Sequence, residues 1–172
     1  SFGTNRVAWG LATSPSSLAE MPADFVVFDE IDEIKPQDVN PIQLARSRGR
    51  TKPNFKLILA STPKLLQGNG GIQDYYNNSK RYAIEMQCPH CKEWSEFTEE
   101  CISAEEGADY REIEAKGLGF AICPSNGCEI RDESHEQMVV TQRWKDLDPD
   151  LPCTYVGFHK ASWNTIHNDF SS

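Results

Sequence analysis

The sequence predicts an α/β fold: part of a parallel sheet with flanking helices, followed by a small four-cysteine zinc-binding module. Three observations carry that expectation. Phe25-Val26-Val27-Phe28-Asp29-Glu30 and Leu57-Ile58-Leu59-Ala60-Ser61-Thr62-Pro63 are short apolar runs that stop abruptly at polar residues. Such runs suit strands buried on both faces of a parallel sheet, with functional groups at their carboxyl ends. Residues 31–56 between them supply enough chain for the crossover that a parallel pair needs. Finally, Cys88-Pro-His-Cys91 and Cys123-Pro-Ser-Asn-Gly-Cys128 give C-x2-C-x31-C-x4-C, the spacing of two metal-binding turns brought together by an excursion.

The elements follow in chain order. Val7-Ala8-Trp9-Gly10-Leu11 reads as a strand, and Ser14-Pro15 as the N-cap and first position of a short helix that Met21-Pro22 ends. The Asp-Glu strand comes next, then a loop and helix to Arg48 punctuated by Pro36 and Pro41, then the Ser-Thr-Pro strand. Gly68-Asn69-Gly70-Gly71 is followed by no Lys and reads as a surface turn; no G-x-x-x-x-G-K-[ST] phosphate loop occurs. A helix is expected over 71–79, with Ile72, Tyr75 and Tyr76 on one face, and a strand over 81–86. The metal module spans 88–135. A helix holding Met138 and Trp144 and a return strand over 154–159 complete the chain. The expected segments are therefore 1–87, 88–135 and 136–172.

If residues 25–30 and 57–63 are parallel neighbours, Asp29, Glu30, Ser61 and Thr62 converge on one sheet edge, where α/β sheets bind ligands. The strand at 7–11 would join the same sheet on the far side of the Asp-Glu strand. Adjacent carboxylates there have separate tasks: Asp29 would hold Mg²⁺ through its water shell, and Glu30 would orient the water that attacks a γ-phosphate. The alternative for the pair is the acidic start of a helix.

Hydrophobic content of 38% and a mean hydropathy of -0.56 describe a soluble chain. No apolar run approaches membrane-spanning length, and no signal-peptide pattern opens the sequence. Ser1 in place of an initiator Met, with no phosphate loop, suggests a piece cut downstream of that loop, which would not hydrolyse ATP alone. Charge is uneven: residues 1–87 carry ten Lys/Arg against nine Asp/Glu, and residues 88–172 carry seven against seventeen. The second half should repel a phosphate backbone. The dense basic stretch Arg46, Arg48, Arg50, Lys52, Lys56 reads as a solvated turn, a DNA-backbone contact, or the source of an arginine given to a nucleotide in trans.

Cys88, Cys91, Cys123 and Cys128 suit one tetrahedral Zn²⁺, closed and structural because four protein ligands leave no position for water. Disulfides compete, but reduced intracellular pairs favour metal. The expected role is folding, in a segment with little apolar core of its own. Four thiolates on one zinc would add further negative charge. His90 is expected to point outward, His135 is a distant reserve ligand, and Cys101 and Cys153 are expected as free buried thiols.

Taken in order, Ser14-Pro15…Leu18, Phe28-Asp29-Glu30-Ile31-Asp32, Arg48, Leu59-Ala60-Ser61-Thr62-Pro63, Ile72…Tyr75, the two cysteine turns, Met138…Trp144 and Gly157-Phe158-His159 resemble the large terminase subunit of tailed bacteriophages, of the lambda-like GpA type. The resemblance covers essentially the whole chain. It implies a P-loop NTPase-like sheet in an ATP-driven motor that packages double-stranded viral DNA into a preformed capsid, with a separate C-terminal endonuclease domain. Asp29 and Glu30 fall on the family's Walker B positions and Ser61-Thr62-Pro63 on its coupling motif, while Arg46 or Arg48 falls near a family arginine. The implied cofactors are Mg²⁺ with ATP; the implied partners are DNA, the small terminase subunit, the portal and procapsid, and further copies of the subunit, in the host cytoplasm and away from membranes. One departure stands out: the second cysteine turn is C-x4-C with Gly127 before Cys128, where the family has C-x2-C followed by Gly. Competing functions are a fragment of another DNA-dependent ATPase such as a helicase, or a non-enzymatic zinc-stabilised remnant of a prophage that binds protein.

Overall fold

The computed structural model describes residues 7–12, 23–35, 39–65, 68–152, 155–165, 168 and 170–171. The expected helix from Ser14 and the thiol of Cys153 lie outside the described residues. The chain is mixed α/β and divides into two compact units, residues 1–75 and 76–172.

In the first unit, β1 (Phe25–Phe28) and β2 (Lys56–Leu59) are parallel neighbours, in register from Phe25 opposite Lys56 to Phe28 opposite Leu59. Helix α1 (Pro41–Gly49) makes the crossover. It starts where the sequence dictates: the Asn40 side chain accepts from the N–H groups of Ile42 and Gln43, and Pro41 takes the first helical position. Phe28, Ile31, Ile42 and Ala45 form the buried core, with Val26, Leu57, Leu59, Ile72 and Tyr75 packed around it. The opposite sheet face, carrying Phe25, Val27 and Ile58, is exposed. Among the described residues this sheet has two strands, so the larger parallel sheet of a P-loop fold is present here only as one pair.

Two expectations for this unit need correction. Residues 7–11 form no strand. Val7, Trp9 and Leu11 are all exposed, Trp9 at 95%, and alternation without a sheet to pair with does not hold a strand. Both predicted strands also end early, at Phe28 and Leu59, leaving Asp29, Glu30, Ser61 and Thr62 on loops. Glu30 is the cause on one side. It adopts the left-handed region (φ 50°, ψ 50°) and opens a 3-10 turn over Ile31–Glu33.

Helix α2 (Ile72–Asn77) leads into the second unit, whose central strand is β3 (Lys80–Gln87). The division falls between Tyr75 and Tyr76, which puts β3 in the same unit as the cysteine turns. The short β4 (Trp94–Ser95) pairs antiparallel with the end of β3. The excursion between the cysteine turns holds β5 (Ile102–Ala104), helix α3 (Tyr110–Lys116) and β6 (Gly119–Ile122); with β7 (Glu129–Arg131), just after the second turn, the strands form an antiparallel sheet of order β5-β6-β7. Asp109 and Glu112 form a capping box at the start of α3, and Gly117 closes it in the left-handed region.

Helix α4 (His135–Val140) stops well before Trp144. The Thr141 hydroxyl and N–H both donate to the Met138 carbonyl, closing the helix. Trp144 therefore sits on β8 (Arg143–Asp146), antiparallel to β3 and opposite Ile84. The return strand β9 (Val156–Phe158) runs parallel to β3, with Tyr82 opposite Phe158. Met86, Cys88, Ala121, Cys123, Ile130 and Met138 are fully buried in one core. The cysteine module has apolar support after all, partly from its own β6 and β7 and partly from β3 and α4.

Candidate active site and metal centre

The ladder between β1 and β2 continues past the strand ends. Ala60 N–H donates to the Phe28 carbonyl at 2.9 Å, and Ile31 N–H donates to the Ala60 carbonyl at 3.2 Å. Asp29 and Glu30 are thereby held beside Ala60 and Ser61 at the carboxyl edge of the pair. Both carboxylates and Thr62 are exposed there, while Ser61 is half-buried. The Asp29 carboxylate accepts from Glu30 N–H at 3.0 Å. Left-handed geometry at a residue with a side chain costs about 1–2 kcal/mol, and backbone strain of this kind collects at functional sites.

Asp32 ties the two loops together, a role sequence reasoning missed. Its N–H donates to Ser61 Oγ at 3.2 Å, and that hydroxyl donates to the Thr62 carbonyl at 3.1 Å. Its buried carboxylate accepts from the N–H groups of Lys64 (2.8 Å), Leu65 (3.0 Å) and Ile72 (2.7 Å). Burial pushes the Asp32 carboxyl up, but those three donors and the Lys64 ammonium outweigh it and hold the group below the usual carboxylate range. Gly71 makes room for the arrangement: a Cβ there would lie 2.9 Å from Asp32 Oδ1. Glu33 and Lys64 form an ion pair across the same two loops.

Arg48 is not part of this cluster. It is exposed in the last turn of α1. Just beyond, Lys52 pairs with Asp24 at 3.3 Å, immediately before β1. The end of α1 therefore lies towards the amino-terminal edge of the strands. Arg46 stacks over the Tyr75 ring at 5.6 Å.

In the second unit, β3 delivers Cys88 and β6 delivers Cys123. One ligand atom from each of Cys88, Cys91, Cys123 and Cys128 lies within 4.8 Å of every other. Four sulfurs at about 2.3 Å from a tetrahedral zinc would be about 3.8 Å apart, and Cys91 and Cys123 Sγ are 3.7 Å apart. The donor set and its spacing fit a metal ion. The Asn126 side chain and the Glu93 N–H hold the Cys91 thiol down at about 6. Burial pushes the Cys88, Cys123 and Cys128 thiols up, so a cation is what would bring all four to thiolate together. His90 is exposed. His135 is buried with Nε2 2.7 Å from the Trp163 carbonyl and its ring edge-on to Phe170, which gives it a structural place. Cys101 is half-buried rather than buried, 3.7 Å from Thr98 Oγ1.

Among the described residues no helix is long and apolar enough to cross a membrane. No curated protein and no solved structure matches the chain. One family model does, that of the phage terminase large subunit gpA, ATPase domain, over residues 4–144. The match takes in β1, β2 and all four clustered cysteines, and extends over most of the sequence. The chain belongs to the ATPase-domain family of the phage terminase large subunit gpA.

Proposed function

We propose that this chain contributes one wall of the hydrolytic site, and a structural zinc centre, to an ATPase that drives viral DNA into a capsid. The single observation that carries the reading is the adjacency of Asp29-Glu30 and Ser61-Thr62 at one edge of a parallel strand pair. Asp29 would hold the Mg²⁺ of bound MgATP, which would supply charge neutralisation at the transferring phosphate. Glu30 orients the attacking water and takes its proton. The exposed Thr62 hydroxyl senses the γ-phosphate. Ser61, bonded to Asp32, passes the state of that phosphate to the loop after β1 and to the start of α2. No G-x-x-x-x-G-K-[ST] occurs in the chain, so groups beyond these residues cradle the phosphates. Arg48, exposed in the last turn of α1, would serve a neighbouring subunit's nucleotide rather than its own.

Cys88, Cys91, Cys123 and Cys128 hold Zn²⁺ in a closed four-thiolate site whose role is folding. The partners follow from the packaging reaction: double-stranded DNA, the small terminase subunit, the portal and procapsid, and further copies of the subunit, in the host cytoplasm. DNA cleavage is assigned to a separate domain. The test is Glu30→Gln in a terminase subunit carrying these residues. The side chain keeps its shape and loses its basicity, so ATP binding should persist while single-turnover hydrolysis falls by about 10²–10⁴-fold. Hydrolysis within threefold of the parent would remove Glu30 from the role.

A further inference from the structure

The two cysteine turns match bond for bond in the backbone, although their ligand spacings differ. In the first, the N–H groups of His90 and Cys91 donate to Cys88 Sγ. Lys92 N–H donates to the Cys88 carbonyl at 3.0 Å, and Cys88 N–H donates to the Glu93 carbonyl at 2.9 Å. In the second, the N–H groups of Ser125 and Asn126 donate to Cys123 Sγ. Gly127 N–H donates to the Cys123 carbonyl at 2.8 Å, and Cys123 N–H donates to the Cys128 carbonyl at 2.8 Å. Lys92 and Gly127 each adopt φ 65°. Superposing the two patterns pairs Cys88 with Cys123, Lys92 with Gly127 and Glu93 with Cys128. Cys91 is then paired with Asn126.

The second turn thus has the backbone that presents a thiol at its fourth residue, and carries an amide there. Its second thiol comes from Cys128, two residues on. We propose that position 126 is a ligand position of the metal centre left without a thiol: Cys128 supplies the displaced fourth thiolate, and a thiol placed at 126 would complete the four-sulfur set in its stead. The inference rests on the metal-centre reading above.

Cobalt is the probe, because thiolate-to-Co²⁺ absorption reports the number of sulfur ligands and competition with a chelator reports affinity. The parent chain, Asn126→Ala, Cys128→Ser and the double variant Asn126→Cys/Cys128→Ser are compared, with far-UV circular dichroism as the folding control. Asn126 is exposed, so the alanine variant keeps the fold. It should retain the parental four-thiolate spectrum, because all four cysteines remain. Cys128→Ser should lose one thiolate from the spectrum, and the double variant should regain it. If the parent binds no Co²⁺, the metal centre itself is refuted and this inference with it. If the parent binds with four thiolates, two outcomes refute the inference alone: a double variant no better than Cys128→Ser, or a Cys128→Ser variant that keeps all four thiolates.

Discussion

Replacing Asp32 by Ala tests whether one buried carboxylate holds the two strand-end loops together. The parent side chain accepts three backbone N–H bonds, from Lys64, Leu65 and Ile72. A hydrogen bond to a charged group contributes about 1.5–3 kcal/mol net, but the three do not add. Lys64 and Leu65 are exposed and regain water when the carboxylate goes, whereas Ile72 is half-buried against the core. Relief of the carboxylate's own burial offsets part of the loss. A destabilisation of about 3 kcal/mol follows, large against a total of about 5–15 kcal/mol for a typical domain. The effect should depend on pH. Asp32 sits below its ordinary range when folded, so its contribution is fully present above about pH 4 and is lost as pH falls through the lower folded value. The parent and Asp32→Ala should converge in strong acid. Hydrogen exchange is the assay: the amides of Lys64, Leu65 and Ile72 should lose protection together in Asp32→Ala. Parental exchange at all three, or a stability change below about 0.5 kcal/mol, would refute the reasoning.

Two further outcomes follow from the second unit. Cys88 is fully buried beside Met86 and Cys123, so Cys88→Ser should abolish metal binding and loosen the core around it, read as loss of near-ultraviolet circular dichroism, while the amides of β1 and β2 keep their exchange rates. Glu85 is buried and accepts from Arg143 (3.0 Å) and Lys145 (2.9 Å) across β3 and β8; both cations are half-exposed and can rehydrate, so Glu85→Ala should cost about 1–2 kcal/mol in urea unfolding.

The parts legible in the sequence were those with a local cause. β1 and β2 announce themselves as apolar runs closed by polar residues, and the long segment between them admits the parallel crossover that α1 makes. The cysteine spacings likewise brought four sulfurs together. What failed was what depends on distant partners. Val7 to Leu11 has the same alternating look as a strand, yet Trp9 is exposed because no neighbour among the described residues pairs with it. Trp144 fitted a continued helix until Thr141 closed α4 and β3 offered it an edge. Asp32 was visible as a residue after Asp29-Glu30, but its role depends on three donors from residues 64–72, which no spacing reveals. Asn126 left one trace: a C-x4-C turn whose glycine precedes the second cysteine.

The convergence of both strand ends on one metal–nucleotide site is the central claim, and affinity cleavage measures it most directly. Fe²⁺ replaces Mg²⁺ with ATP in a terminase subunit carrying these residues, ascorbate and peroxide start local radical cleavage, and the backbone cuts are mapped by mass spectrometry. Cuts should appear at residues 29–32 and at 60–62 together, should require nucleotide, and should be absent around Arg48 within the same subunit. Nucleotide-dependent cuts at only one of the two strand ends, or at neither, would contradict the account.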